Sequence, residues 1–134
     1  MPGENQITLI HPILVHFPIA FYFLEFFLLS LWKFKKEEAY LRFSFLIFKV
    51  AYLMMIIAMV AGYHDTGWNI TSRVIRHFYM ALSVFAVNTL RGVLWFRMNK
   101  KREFHSWTLL IGSLICITLV AVTADFGGDL VYHE

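Results

Sequence analysis

The chain has 134 residues, of which 59% are hydrophobic and 16% are charged, and its net charge is +3. A soluble globular domain is nearer half apolar and a quarter charged, so this composition excludes a soluble enzyme, a disordered segment and a nucleic-acid-binding module. The single cysteine, Cys116, excludes an internal disulfide and the Cys-x-x-Cys-His motif of covalent haem attachment. The length suffices for about four membrane-crossing helices of roughly 20 residues each.

Four apolar runs succeed one another along the chain. They extend over about residues 12–32, 39–63, 74–96 and 107–126. No run alternates polar and apolar residues with a period of two, so these are helices and not barrel strands. Because the connections are short, neighbouring spans are antiparallel. The sequence predicts an all-α membrane protein, an antiparallel up-down-up-down four-helix transmembrane bundle that forms one domain over residues 1–134, with no linker or repeat.

The orientation follows from the basic residues of the connections, since cytoplasmic loops retain positive charge. The first and third connections carry Lys33, Lys35, Lys36, Arg42, Arg97, Lys100, Lys101 and Arg102. The segments before Ile10 and after Phe126 carry no Lys or Arg. Both termini and the 64–73 loop are therefore predicted to face outward.

Histidines gather at the outer end of this bundle. His16 and His77 each lie about one turn inside the outer end of a helix, and His11 and His64 lie nearby. One histidine from each of two facing helices is the usual axial ligand set of a non-covalent b-type haem. We expect His16 and His77 to bind the iron, with Arg73 or Arg76 on a haem propionate. His11 with His64 is a second possible pair.

Two other interpretations of these residues stay open. His16, His64 and His77 with Asp65 or Asp125 offer nitrogen and oxygen ligands for zinc, iron or copper. The same residues are also consistent with a purely structural role at the membrane surface.

Charged residues also fall within the predicted spans. Glu25 and Lys49 lie at matching depth on consecutive helices, and Arg91 reaches a similar level, so Glu25 is predicted to pair with Lys49 or Arg91. Such groups hold a bundle together or carry protons. Pro18 removes one helical hydrogen bond and predicts a break near His16. A pair of glycines at 127–128 is expected to end the fourth helix.

The chain resembles a bacterial family of small predicted membrane proteins that is catalogued as a domain of unknown function. The resemblance rests on HPILVHFPI at residues 11–19, which fits the pattern HPxxVHFPI, and on GGDLVY at residues 127–132, which fits GGxLVY. The family's motif positions correspond here to His11, His16, His77, Gly127, Gly128 and Tyr132. The resemblance implies a multi-pass protein of the bacterial inner membrane, with periplasmic termini, and fusion of some members to Rieske or cytochrome-type domains suggests electron transfer.

These observations lead to one functional hypothesis and one rival. The first is a membrane subunit of an electron-transfer complex that binds haem b near the outer face. It would pass electrons between the quinone pool or a membrane partner and a cytochrome or Rieske-type partner. The rival is a cofactor-free accessory subunit that contacts lipid and other subunits of a larger complex. An enzyme with a metal site at the outer surface is a weaker third hypothesis, because the sequence shows no pair of nucleophile and base. The sequence therefore favours a non-catalytic or electron-transfer subunit over a stand-alone enzyme.

Overall fold

The computed structural model describes residues 10–72 and 74–132, with only the backbone for 129–132, and this part of the chain is helical without strands. A short helix α1 (His11–Leu14) leads into α2 (His16–Lys35). The remaining helices are α3 (Glu38–Asp65), α4 (Ile75–Lys101) and α5 (Ser106–Tyr132). Four of the described segments are long and apolar enough to cross a membrane, with α1 and α2 forming the first of them. The predicted four-helix membrane bundle is confirmed.

The first span is interrupted where Pro18 predicts it. α1 ends at Leu14, Val15 forms a turn, and α2 starts at His16. The amide of Ile19 reaches the carbonyl of Val15 at 3.4 Å, a long bond one turn beyond the break. Because Pro18 has no amide hydrogen, the chain can change direction here at little additional cost.

The long helices form a closed ring in the order α2, α3, α4, α5. α2 packs mainly on α3 and also on α5, α4 packs on α5, and the α3–α4 interface is the thinnest of the four. α2 and α4 therefore lie diagonally opposite each other. Trp95, Tyr22 and Leu29 are completely buried at the centre of the ring. Most other large side chains point outward, as expected where lipid replaces water.

The bundle consists of two hairpins with the same pattern. Hairpin A comprises α1 to α3 and hairpin B comprises α4 and α5. The buried positions of α2 recur in α4 at a constant separation of 66 residues, pairing Pro18 with Val84, Tyr22 with Asn88, Glu25 with Arg91 and Leu29 with Trp95. The residues that end α2 and α4, Lys36 and Arg102, share the same separation and the same left-handed backbone. The two hairpins thus repeat one pattern of buried positions, although no repeat was expected from the residue types alone.

Two names describe the ends of the bundle. The histidine end contains the start of α1, the α3–α4 connection and the end of α5, with His11, His64 and His77. The basic end contains the α2–α3 and α4–α5 turns with their lysines and arginines.

The glycine pair at 127–128 does not end the last helix as expected, since α5 continues through Gly127 and Gly128 to Tyr132. The ring of His77 fills the space beside Gly127, so this glycine serves packing and does not end the helix.

Candidate functional site

His11 is held against α3 by three contacts. Its backbone amide donates to the carboxylate of Asp65 at 2.8 Å, which caps the start of α1 from the end of α3. Its ring nitrogen Nδ1 lies 2.6 Å from the carbonyl oxygen of Ala58. The ring rests on Gly62, where a Cβ atom would stand 2.8 Å from Nδ1. Position 62 must therefore lack a side chain for the ring to lie there.

His77 repeats this arrangement in hairpin B. Its Nδ1 lies 3.1 Å from the carbonyl oxygen of Thr123 on α5. Its ring rests on Gly127, where a Cβ atom would stand 2.9 Å from the ring carbon Cε1. In both hairpins the accepting carbonyl lies one helical turn before the glycine. The same device thus places one imidazole from each hairpin.

The two histidine rings meet across the diagonal of the bundle. Their centroids are 5.7 Å apart, and their planes are inclined by 75°. Because a carbonyl oxygen only accepts hydrogen bonds, Nδ1 carries the proton in both rings. In the neutral form of such a ring, Nε2 carries the lone pair that can bind a metal. This is the arrangement in which neighbouring groups fix the tautomer of a metal-ligating histidine.

A cavity of about 270 Å³ opens between the four long helices beside these rings. One water needs roughly 10–15 Å³ of such space, so the cavity has room for an organic molecule. It extends from His11 to the level of Tyr22, about 16 Å at the rise of a helix. Its other walls are mainly alkyl and thioether groups, including Met55, Met59 and Val84. His11 and His77 are thus among the few polar groups on a mainly apolar pocket.

The remaining predicted site residues lie around this pair. His16 lines the same cavity, but it is largely exposed and its Nδ1 is bonded to the carbonyl of Pro12 in the preceding turn, at 2.7 Å. His64 points outward with 59% of its side chain exposed, and its Nδ1 lies 3.6 Å from Asp65. Arg76 is exposed in the first turn of α4, and Arg73 lies outside the described residues.

The alternative of a mixed nitrogen and oxygen metal site finds no support in the described part of the chain. Within residues 10–72 and 74–128 there is no group of three or more His, Cys, Asp or Glu side chains that could hold a metal ion. His64 and Asp125 are both exposed. His64, His16 and Asp125 therefore do not assemble around His77 into one ligand set.

A buried polar layer lies below the cavity, further toward the basic end. Arg91 donates to Glu25 and, at 3.1 Å, to the side-chain oxygen of Asn88. The amide of Asn88 in turn reaches the sulfur of Cys116 at 3.1 Å. Of the two partners expected for Glu25, the structure has Arg91. Lys49 is exposed instead, and its ammonium group lies 4.7 Å from the ring centre of Phe45.

Sequence reasoning missed the roles of Gly62 and Gly127 and the pairing of His11 with His77. The signal that could have found them is the repeat itself. His11 and His77 have the same separation of 66 residues as the paired Glu25 and Arg91, whereas Gly62 and Gly127 are separated by 65. Burial and hydrogen bonding recur at equivalent positions of the two hairpins, whereas the residue types at these positions mostly differ.

The comparison with protein families identifies the chain. Residues 8–134 match the family described as "Predicted membrane protein (DUF2231)". Because the match covers nearly the whole sequence, the chain belongs to this family of membrane proteins of unknown function. It matches no curated protein and no solved structure.

Proposed function

We propose that this member of the family binds a b-type haem between His11 and His77 and serves as a membrane subunit in electron transfer. The observation that carries the proposal is the histidine pair. Two imidazoles from diagonally opposite helices meet edge to face beside a mainly apolar cavity, and Nδ1 of each lies within hydrogen-bond distance of a backbone carbonyl. Haem sites in helical bundles are built in the same way, from side chains on facing helices.

The spacing and number of the ligands support a haem over a free metal ion. A histidine nitrogen lies about 2 Å from a bound metal, and the two ring centres are 5.7 Å apart, so both rings could reach one iron. The described residues contain no group of three or more His, Cys, Asp or Glu side chains that could hold a metal ion on their own. A haem would bring its own further iron ligands and would supply single-electron exchange.

The residues of the chain divide the work of holding such a group. The carbonyls of Ala58 and Thr123 keep the rings in one orientation and increase the basicity of Nε2. Apolar walls exclude water and so influence the reduction potential. The guanidinium of Arg76, at the start of α4, is available for a carboxylate at the histidine end.

The partners we propose follow from the position of the pair at one end of the bundle. Electrons would arrive from a quinol or another membrane subunit and leave to a cytochrome or Rieske-type protein that docks at the histidine end. The family resemblance, with its fusions to such domains, supports this direction. With periplasmic termini in the bacterial inner membrane, the histidine end would face the periplasm.

The test is a pyridine haemochrome assay and a reduced-minus-oxidised spectrum on the protein purified in mild detergent, with haem supplied during expression. His11→Asn and His77→Asn keep a polar side chain near the accepting carbonyl but remove the Nε2 ligand. His16→Asn and His64→Asn are matched controls at the same end. We expect about one haem per chain in the parent and both controls, and loss of the Soret band in His11→Asn and His77→Asn.

The opposite results reject the proposal. If the parent is colourless after haem is supplied, with full helical content by circular dichroism, the cofactor-free accessory subunit is the better account. If His16→Asn loses the Soret band and His11→Asn keeps it, His16 is the partner of His77. Adding imidazole to His11→Gly and His77→Gly separates a lost ligand from misfolding, because a free imidazole restores the band only in a folded site.

A further inference from the structure

A second groove lies on the lipid-facing side of the thin α3–α4 interface, apart from the histidine site. Phe48 and Tyr52 of α3 form one wall, and Gly92, Val93 and Phe96 of α4 form the other. Its deep end is closed by a hydrogen bond of 2.9 Å between the hydroxyls of Tyr52 and Thr89. The Thr89 hydroxyl donates in turn to the carbonyl of Phe85 at 2.8 Å, which makes Tyr52 the donor to Thr89. Both hydroxyl hydrogens are therefore bonded within the protein, so an occupant at this depth can be entirely apolar.

The groove has the length of one membrane leaflet. It runs from Lys100, next to the last residue of α4, to Thr89. The eleven helical steps between these two residues rise about 17 Å. Half of a hydrocarbon core of ~30 Å is about 15 Å. A helix of a second copy would need a complementary surface across the whole membrane, whereas an acyl chain from one leaflet needs only this length.

The mouth of the groove carries positive charge. Arg97 and Lys100 both line it and are exposed at the basic end. Neither makes an ion pair with a described residue. The ion pairs among the described residues join His64 to Asp65 and Arg91 to Glu25. At the equivalent positions of hairpin A, 66 residues earlier, stand Leu31 and Phe34. The bundle pattern therefore does not require cations here.

The groove also differs in its floor from the equivalent interface between α5 and α2. Gly92 leaves space beside the ring of Phe48, where a Cβ atom would stand at an ordinary 3.6 Å. The counterpart of Gly92 is Phe26, which is partly buried and packs against the core. An aromatic ring thus occupies the position in hairpin A that stays open in hairpin B.

We propose that this groove binds an anionic phospholipid of the leaflet at the basic end. One acyl chain lies between Phe48 and Phe96 along Gly92, and the phosphate contacts Arg97 and Lys100. Basic pockets between transmembrane helices are known to bind anionic head groups in this way. The site is independent of the histidine pair, so a protein that binds no haem can still bind this lipid.

The experiment is native mass spectrometry of the detergent-purified chain titrated with phosphatidylglycerol and with phosphatidylcholine of identical acyl chains. The variant Arg97→Gln/Lys100→Gln removes the charges at the mouth, and Gly92→Leu fills the floor. Lys101→Gln/Arg102→Gln is the matched control, because it removes two neighbouring charges outside the groove. Circular dichroism checks that each variant is folded.

We expect the parent and the control to retain one phosphatidylglycerol in preference to phosphatidylcholine. Arg97→Gln/Lys100→Gln should weaken phosphatidylglycerol binding roughly thirtyfold, and Gly92→Leu should abolish retention of both lipids. Equal losses in the control and in Arg97→Gln/Lys100→Gln would show a diffuse charge effect and overturn the proposal. Equal retention of the two lipids by the parent would overturn it, as would a lipid-free dimer whose dissociation follows from Gly92→Leu.

Discussion

The two hairpins agree at the histidine end and differ in the middle of the membrane. In each, a histidine near the start of the first helix rests on a glycine of the second and bonds to the carbonyl one turn earlier. Fourteen residues further on, hairpin A has Glu25 and hairpin B has Arg91, and these two are paired. Equivalent positions thus carry the same group where a symmetric site is formed. They carry groups of opposite charge where the two hairpins pack against each other.

This contrast separates the residues that shape the cavity from those that hold the hairpins together. A second copy of hairpin A would bring two buried carboxylates together, and a second copy of hairpin B would bring two guanidinium groups together. Like charges at close range inside a membrane cost several kcal/mol. The charges therefore favour the pairing of A with B over the pairing of either hairpin with its own copy.

The largest effect is expected from breaking the buried ion pair. Glu25→Arg or Arg91→Glu alone leaves two like charges at a completely buried position. Removing one partner of a buried pair typically costs about 3–5 kcal/mol. We expect each single variant to lower the free energy of unfolding by at least this range, measured by denaturant titration in detergent micelles with circular dichroism.

The exchange variant Glu25→Arg/Arg91→Glu tests the equivalence of the two positions. Because both lie at the same place in the repeat, the exchanged charges can meet again, and we expect a recovery of about 1–3 kcal/mol over the sum of the single variants. A double variant no more stable than that sum would mean that the two positions are not equivalent.

The next largest effect concerns the glycines under the histidines. Gly62→Ala and Gly127→Ala each place a methyl group within 3 Å of an imidazole ring. Such overpacking costs about 1–3 kcal/mol, and it should also displace the ring, which under the proposed function would reduce the haem occupancy. Differential scanning calorimetry and the Soret band measure the two effects.

Gly112→Ala is the matched control on α5. Its added Cβ would stand 3.5 Å from Nε of Arg91, an ordinary contact. Replacing a helical glycine by alanine without a clash stabilises by about 0.5–1 kcal/mol. Similar destabilisation by Gly112→Ala and Gly62→Ala would refute the special role of the glycines beneath the rings.

A smaller effect is expected from the side-chain cap at the start of α1 in hairpin A. Asp65→Ala removes the acceptor of the His11 amide at the start of α1. Loss of a helix cap costs about 0.5–2 kcal/mol. We expect this loss in stability, together with faster hydrogen exchange of the His11 amide by NMR. Protection of that amide unchanged from the parent would contradict the contact.

The smallest effect is expected at Lys49. Its counterpart in hairpin B is Leu114, at the separation of 65 residues that also relates Gly62 to Gly127. Lys49 is exposed and contacts the face of Phe45. Lys49→Leu removes an ammonium group that faces lipid, so the stability of the isolated chain should stay within about 0.5 kcal/mol or increase. A clear decrease in the same unfolding titration would show that this lysine supports the bundle.

Much of the fold could be predicted because the membrane restricts the choices. Apolar runs long enough to span it and short connections are sufficient to indicate four antiparallel helices. Pro18 lacks an amide hydrogen, so the break beside it was predictable. The depth of Glu25 identified two possible partners, and only the packing of α2 against its neighbours selects Arg91 over Lys49.

The histidine pairing could not be predicted in the same way. His11 and His16 are five residues apart, so the direction that each faces depends on how the chain turns at Val15. Depth favoured His16, while the turn brings the ring of His11 against α3 and leaves His16 largely exposed. Gly127 resembled a helix end because glycine serves both as a cap and as a site of close approach.

The measurement that most directly tests the central claim is low-temperature electron paramagnetic resonance of the oxidised protein after haem is supplied. The imidazole planes of His11 and His77 are inclined by 75°. If both rings held a haem iron at this inclination, the oxidised protein would give a low-spin ferric signal with a large, isolated low-field component. We predict that signal in the parent and its absence in His11→Asn. A rhombic spectrum typical of parallel rings, a high-spin spectrum, or a preparation without haem would contradict the account.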